Sequence, residues 1–401
     1  MDLVSDRPLW PLLDGLPHAY PRLHDDARAE VVVIGGGVTG ALVAHALVGA
    51  GLDTMVIDRR EIGWGSTAAS TAILQYELDV PLVELRESMG RDGADRIVLA
   101  CRDAIDSLSS LVAASGDDVG FRRRDSLYLV TRKRDLNAQR AELAARREIG
   151  LDAEWMECVE LVQRFGIDRP GAILSAGAAE VDAYALAHSL LADGVRRGLR
   201  VFSHTTVDKV KPRDDGVTVR IAGGASVDAR HVVFASGYET REFLGHSPAK
   251  LVSTFAIASD PGAVPSPWKE SAAVIWERAH PYLYLRSTPD GRVIIGGEDE
   301  DFRDPAHRDA LIPRKAERLA ERYGELFGAP PLDVAFAWAG TFGETNDGLP
   351  RIGPHEDWPH CQFALGYGGN GIVFSTIAAG IITAVLTARH HPLAPLLRFR
   401  R

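Results

Sequence analysis

The chain of 401 residues is poor in cysteine, with three in all. Cys101, Cys158 and Cys361 lie far apart, are odd in number and show none of the spacings of a metal site. This pattern argues against a disulfide framework and is typical of a reducing compartment. The sequence therefore predicts a cytoplasmic protein without a bound metal.

Long hydrophobic runs and an excess of positive charge are also missing. The first 30 residues contain no apolar core of a signal peptide. The most apolar segment, residues 372–386, is short and interrupted by Ser, Thr and Gly, so it does not predict a membrane span. The net charge of −10 argues against nucleic acid and anionic membrane surfaces as partners.

The composition that remains is that of an ordinary globular protein. Apolar residues make up 46% of the chain and charged residues 25%, which is enough to build a large core. The length predicts two domains, or one domain with a large insertion.

The most informative stretch is residues 30–60. A short β-branched run, residues 31–34, is followed by Gly35, Gly37 and Gly40 at Gly-x-Gly-x-x-Gly spacing, then by helical periodicity and a second apolar run that ends on Asp58. In such a unit the glycines allow a tight turn and close approach of a pyrophosphate, and the acid accepts ribose hydroxyls. Strand, glycines, helix, strand and acid in register predict a dinucleotide site.

Three further stretches of small residues accompany this unit. Residues 63–71 read GWGSTAAST, residues 340–353 read GTFGETNDGLPRIG, and residues 366–371 read GYGGNG immediately before an apolar helix. Glycines before a helix start form an anion site. Two such sites suit a cofactor with a pyrophosphate at one end and an electron-rich ring at the other.

Residues 251–258, 272–276, 282–286 and 292–295 have the pattern of antiparallel strands, which suit the floor of a substrate cavity. Tyr282 and Tyr284 alternate along one strand and share a face. They either line the pocket, with His280 nearby, or pack as a half-buried aromatic pair.

Taken together, these motifs resemble the superfamily of D-amino acid oxidase, glycine oxidase and sarcosine oxidase. The resemblance spans residues 30 to about 388 and implies a stably bound FAD. It implies an α/β fold, with a Rossmann-like FAD-binding domain built from discontinuous segments and an α+β substrate domain with an antiparallel sheet. The expected FAD-binding segments are 1–90, 150–247 and 330–401, and the expected substrate segments are 91–149 and 248–329.

The resemblance also implies roles for individual residues. Gly35, Gly37 and Gly40 would meet the pyrophosphate, Asp58 the adenosine ribose, and the Val207 backbone the adenine. A helix start at residues 368–372 would bind the flavin pyrimidine edge, where it stabilises the negative charge of reduced flavin. The cofactor-binding residues implied in this way are Gly35, Gly37, Val38, Thr39, Gly40, Asp58, Arg59, Gly65, Ser66, Thr67, Ala69, Val207, Ala235, Gly237, Gly340, Asp347, Gly368, Gly369, Asn370, Gly371 and Ile372.

The chain departs from the family at the substrate end. Phe342 stands where amino-acid oxidases of this type carry an arginine that forks onto the substrate carboxylate, and Phe cannot make that contact. Arg278 or Arg286 could substitute, or both could be arginines of the sheet surface. The predicted substrate pocket comprises Tyr282, Tyr284, Arg286 and Phe342.

The expected reaction is oxidation of a C–N bond of an amine or amino acid to an imine, by hydride transfer to flavin N5, with oxygen or another electron acceptor. Covalent FAD is not expected, because no Cys stands where a related oxidase tethers its flavin and no His lies in residues 63–71.

Glu344 either holds a cationic amine or faces solvent. Two alternatives stay open at this point: a nicotinamide-dependent Rossmann dehydrogenase and a non-catalytic flavoprotein subunit.

Overall fold

A computed structural model describes residues 2–5, 7–245, 249–279 and 281–399 of the chain. His280 therefore lies outside the described residues. The strands are β1 (Ala27–Ile34), β2 (Thr54–Ile57), β3 (Ile73–Leu74), β4 (Arg122–Leu129), β5 (Ala153–Glu157), β6 (Gly171–Glu180), β7 (Arg200–Phe202), β8 (Val207–Arg213), β9 (Gly216–Ile221), β10 (Ser226–Phe234), β11 (Lys250–Ala258), β12 (Val274–Glu277), β13 (Leu283–Ser287), β14 (Val293–Asp301), β15 (Phe336–Glu344), β16 (Arg351–His355) and β17 (Trp358–Leu365).

The helices vary from one turn to seven turns in length. They are α1 (Leu9–Asp14), α2 (Val38–Gly49), α3 (Ser66–Ala69), α4 (Leu82–Met89), α5 (Arg91–Ser115), α6 (Leu136–Glu148), α7 (Cys158–Phe165), α8 (Ala183–Arg196), α9 (Arg241–Leu244), α10 (Ser266–Ser271), α11 (Pro305–Ala310), α12 (Ile312–Phe327), α13 (Gly371–Leu386) and α14 (Ala394–Leu397).

The first sheet is built around β1, which the sequence predicted as a strand buried on both faces. Val31, Val32, Val33 and Ile34 are all buried. The sheet order is β16-β17-β10-β1-β2-β7, and the hairpin β8–β9 joins through β9 to β10. Strands β17, β10, β1, β2 and β7 are parallel, while β16 is antiparallel on the edge. The carboxyl ends of β1, β2 and β10 therefore meet at one edge, where ligands of such sheets bind.

Apolar helices cover this sheet. Helix α2 connects β1 to β2, and it packs against α8 and α13, which in turn packs against α5. The segment Gly368–Leu386 is long and apolar enough to cross a membrane by composition alone, but 56% of its most apolar window is buried inside the protein. That packing is typical of a core helix.

The second sheet has the order β15-β11-β14-β13-β12-β4-β6-β3, with β5 paired to β6. Its pairs are antiparallel, as predicted, except for β12 and β4, which run parallel. The amphipathic helix α12 packs on β11, β14 and β15. This sheet forms a second layer beside the first.

The predicted domain segments differ from the observed packing in several places, and β3, from the segment 1–90, also lies in the second sheet. Residues 153–180, expected in the FAD-binding part, contribute β5 and β6 to the second sheet, and β15 joins that sheet too. Conversely, α5, expected in the substrate part, packs against α13. Sequence periodicity gives the type of an element but not its partner across the chain.

Candidate cofactor and substrate site

The glycine turn after β1 brings backbone groups into close contact. A Cβ atom at Gly35 would lie 2.5 Å from the Ala235 carbonyl oxygen, and one at Gly40 would lie 1.8 Å from the Gly35 carbonyl oxygen. A Cβ at Gly37 would lie 2.8 Å from the Thr67 hydroxyl oxygen. Only glycine permits this packing, which leaves the start of α2 facing an open cavity.

Asp58 follows β2 and stabilises the glycine turn through two hydrogen bonds to backbone amides. Its Oδ2 atom accepts a hydrogen bond from the Gly36 amide at 2.6 Å, and its Oδ1 atom accepts one from the Arg60 amide at 2.7 Å. Burial raises the pKa of the Asp58 carboxyl, and the two amides and the neighbouring arginines oppose that rise in part. The Arg60 guanidinium binds buried Glu239 at 2.7 Å beside this acid. The arrangement holds the carboxyl in one place at the edge of the cavity.

A cavity of about 450 Å³ runs from Asp58, along the start of α2, to the start of α13 and the face of the second sheet. Most of the residues that the sequence assigned to the cofactor line it. These are Gly35, Gly37, Val38, Thr39, Asp58, Arg59, Gly65, Ser66, Thr67, Ala69, Val207, Ala235, Gly237, Gly340, Gly368, Gly369, Asn370, Gly371 and Ile372.

Two residues of that set do not line the cavity. Gly40 packs against the Gly35 carbonyl, so it serves the contact of helix with strand and does not meet a ligand. Asp347 accepts hydrogen bonds from the Leu349 amide at 3.2 Å and the Arg351 guanidinium at 3.1 Å. Its carboxyl therefore stabilises the turn before β16, because a short acidic side chain readily bonds the backbone two residues on.

Arg286 was predicted to belong to the substrate pocket, but it is not among the residues that line the cavity. Its buried guanidinium donates to the carbonyl oxygens of Ala72 at 3.0 Å and Val181 at 2.8 Å. The Arg286 Nε atom lies 3.7 Å from Glu180. Arg286 lies two residues after Tyr284 on β13. Its side chain contacts the backbone next to β3 and β6 and does not border the cavity.

Arg278 lies at the mouth of the cavity but is already engaged. Its guanidinium forks onto Glu84, with N–O distances of 2.6 and 3.0 Å. This hydrogen bonding raises the pKa of Arg278. Phe342 lines the cavity, as predicted. In this structure the Arg278 guanidinium is paired with Glu84, and the Arg286 guanidinium is bound to backbone carbonyl oxygens.

Residues 75–79 hold the start of α13 through hydrogen bonds, and the sequence did not predict this contact. The Asn370 side-chain amide donates to the carbonyl oxygens of Gln75 at 2.9 Å and Glu77 at 2.8 Å. The Gly369 amide donates to Asp79 Oδ2 at 3.0 Å. Asp79 lines the cavity, and burial raises the pKa of its carboxyl. This contact joins residues 290 positions apart, and no local pattern signals it.

Aromatic rings form the wall of the substrate end. Tyr128 stacks on Trp276 with ring centroids 3.9 Å apart, and the Tyr282 and Tyr284 centroids lie 6.1 Å apart. Tyr282, Tyr284 and Trp276 line the cavity. Burial raises the pKa of both lining tyrosines above the ordinary value, so both are neutral phenols at physiological pH. Trp276 is buried and yet borders the cavity.

Asp299 is a further cavity residue that sequence reasoning missed. It follows Gly296 and Gly297 on β14, and glycines inside a strand are a signal for a bulge. The two glycines indicate a bulge near Asp299, but they do not indicate that the Asp299 side chain borders the cavity.

The described residues fit FAD. Asp58 lies at one end of the cavity, where it would hold the adenosine ribose. The start of α2, where Thr67 Oγ1 accepts the Val38 amide at 3.0 Å, would face the pyrophosphate, and the start of α13 would face the ring. Among the described residues that line the cavity there is no cysteine or histidine to tether the ring. Over the same described ranges, no cluster of His, Cys, Asp and Glu could hold a metal ion.

Comparison with known proteins agrees with this geometry. The DAO model, described as FAD dependent oxidoreductase, matches residues 30–385. Glycine oxidase of Bacillus licheniformis is 27% identical over 360 residues, which cover 87% of this chain and 90% of that protein. The structure of glycine oxidase from Geobacillus kaustophilus has a TM-score of 0.78 at 19% identity and covers 94% of this chain and 99% of its own. L-amino acid deaminase from Proteus vulgaris has a TM-score of 0.78 at 16% identity, with 96% and 99% covered. The chain therefore belongs to the DAO family of FAD-dependent oxidoreductases, and FAD is its cofactor.

Proposed function

We propose that the protein oxidises the C–N bond of an amine to an imine, with FAD as the hydride acceptor. The observation that carries this proposal is the charge of the substrate end of the cavity. Three acidic residues, Asp79, Asp299 and Glu344, line it, whereas the lining arginine there, Arg278, is forked onto Glu84. When these acids are ionised, such a field attracts a cation and repels a free carboxylate.

In this reaction the substrate carbon loses a hydride to FAD, and the nitrogen lone pair forms the C=N bond. The nitrogen must therefore be neutral when the hydride leaves. The aromatic wall of Trp276, Tyr282 and Tyr284 orients the substrate and limits the access of water during this step. The imine then hydrolyses in water, and oxygen or another electron acceptor would take up the two electrons that FAD receives.

The absence of a forked arginine argues for an amine over an amino acid. A buried carboxylate without a partner costs several kcal/mol, or about two decades or more in kcat/KM. Phe342 offers no hydrogen bond to a carboxylate, and Arg286 is bound to backbone carbonyls outside the cavity. We therefore propose amines, or an amino group on a larger molecule, as the substrate class.

Anaerobic mixing of the holoprotein with a panel of amines tests the proposal. We expect the flavin absorbance to bleach and an aldehyde or ketone to form in equal amount after the imine hydrolyses. Failure of every amine and amino acid to bleach the flavin would support a non-catalytic flavoprotein subunit instead. A protein that reduces or oxidises a nicotinamide without visible flavin bands would support the dehydrogenase alternative.

A cytoplasmic location remains a proposal from cysteine usage, to be tested by fractionation.

A further inference from the structure

Strand β14 contains a bulge at its approach to the cavity. Gly297 pairs with Phe255 of β11, but the next pair is Glu300 with Ser253, so β14 has one more residue than β11 between these pairs. Glu298 takes a φ of +57°, which is rare for a residue other than glycine. Bulges of this kind turn a side chain away from the regular alternation of a strand.

Ion pairs hold the bulge in this conformation. The buried Glu298 carboxylate lies 3.0 Å from the Arg322 guanidinium and 3.7 Å from the Lys315 ammonium. Arg322 also donates to the Tyr282 carbonyl oxygen at 3.1 Å, which ties α12 to the start of β13. A left-handed conformation costs free energy, so its retention here requires support from the surroundings.

The bulge places Asp299 at the cavity. The residue borders the open space, yet its Oδ1 atom is shielded from solvent and has no hydrogen-bond partner among the described residues. Thr254 lies beside the carboxyl and lowers its pKa, and the Thr254 hydroxyl lies 3.3 Å from the Tyr284 hydroxyl. A shielded carboxylate oxygen without a donor is unfavourable. A cation in the cavity beside the carboxylate would lower that cost by electrostatic attraction.

The charged groups around Asp299 favour a positively charged ligand. Asp79 and Glu344 are the acidic neighbours that repel the Asp299 carboxylate, and Lys315 is the cationic neighbour that attracts it. Lys315 itself is bound to Glu300 at 2.8 Å. Aromatic rings of Trp276 and Tyr284 border the same space and favour a cation near their faces.

We propose that Asp299 binds the ammonium group with which the substrate enters the cavity, so that the site selects amines that arrive as cations. This inference rests on the proposed function and names the residue that recognises the substrate. The Asp299 carboxylate is also a group that can take the ammonium proton, which the nitrogen must lose before its lone pair forms the C=N bond.

Binding of tetramethylammonium to the oxidised holoprotein tests this inference without any reaction, because that cation has no lone pair to oxidise. The change in flavin absorbance on binding gives the Kd, and tert-butanol serves as a neutral ligand of similar size. We expect Asp299→Asn to weaken tetramethylammonium binding tenfold or more and to leave tert-butanol binding unchanged. The matched control is Asp301→Asn, because Asp301 lies two residues further along β14 and is exposed.

Equal binding of tetramethylammonium by the native protein and Asp299→Asn, or no binding by the native protein, would overturn the inference. Asp299→Ser is a second variant with the same expected loss, for use if Asp299→Asn retains less FAD than the native protein. The two proposals fail separately. Cation binding through Asp299 without flavin bleaching by any amine would contradict the proposed function alone, whereas bleaching that is unaffected in Asp299→Asn would contradict the role of Asp299 alone.

Discussion

The amide of Gly369 donates a hydrogen bond to the carboxyl group of Asp79 at 3.0 Å, and this contact places an acid beside the helix start that borders the cavity. A helix start stabilises the anionic reduced form of a flavin, and a carboxylate at the same place opposes that effect. The family resemblance predicted the helix start but not the acid that modifies it.

We expect Asp79→Asn to raise the midpoint potential of the bound FAD, because a negative charge near the ring is removed. A rise of about 30 mV, which is about 1.4 kcal/mol for a two-electron couple, is the expected scale. Reductive titration against a reference dye at alkaline pH measures it, since burial raises the pKa of Asp79 and its charge is present only above that pKa. The control is Asp92→Asn, an exposed acid on α5. A lower potential in Asp79→Asn would contradict this assignment.

Gly37→Val should abolish FAD binding. The new side chain would meet the Thr67 hydroxyl oxygen, which lies 2.8 Å from the Cβ position, and would project where the pyrophosphate passes. The ratio of flavin to protein absorbance in purified protein measures the occupancy. Gly49→Val at the other end of α2 has no atom within 4 Å of its Cβ and should retain FAD. Full occupancy in folded Gly37→Val would mean that the cofactor lies elsewhere.

The purified protein should be yellow, and acid or heat should release its FAD. The reason is that no cysteine or histidine lies among the described residues lining the cavity. Precipitation followed by absorbance of the supernatant checks this expectation. Flavin that stays with the denatured pellet would require a covalent link.

Cation binding should depend on pH. Burial, together with the charges of Glu344 and Asp79, raises the pKa of Asp299 to about 7, against opposing effects of Thr254 and Lys315. Asp299 is therefore charged above about pH 7 and neutral below it. The affinity for tetramethylammonium should fall as the pH drops from 8 to 6, and it should be nearly flat over that range in Asp299→Asn. A stronger affinity at pH 6 in the native protein would contradict the assignment of this charge.

Most of the residues that the sequence predicts for the cofactor line one cavity, because the signals for them are local. Gly37 and Asp58 lie within one strand–helix–strand unit, where spacing alone fixes their relative positions. Asp79 and Asp299 depend on contacts between distant segments and on a bulge, which periodicity does not encode. Arg286 was misplaced for the same reason, because the strand could be predicted but not the backbone carbonyls that its side chain meets.

The domain boundaries show the same distinction. The pattern of residues 171–180 is consistent with a strand, but only pairing with β4 and β3 places it in the second sheet. Likewise, the apolar face of α5 indicates burial but does not identify α13 as its partner. Element type follows from local chemistry, whereas assignment to a sheet or layer requires the long-range contacts.

The most direct test of the proposed function compares phenethylamine with D- and L-phenylalanine as reductants of the bound flavin under anaerobic conditions. We expect the amine to reduce the flavin with an efficiency about a hundredfold or more above either amino acid, since the cavity is acidic and Phe342 gives no carboxylate clamp. Phe342→Arg should shift that preference toward the amino acid. Faster reduction by phenylalanine in the native protein would contradict the account and indicate an amino-acid oxidase that binds its carboxylate by other means.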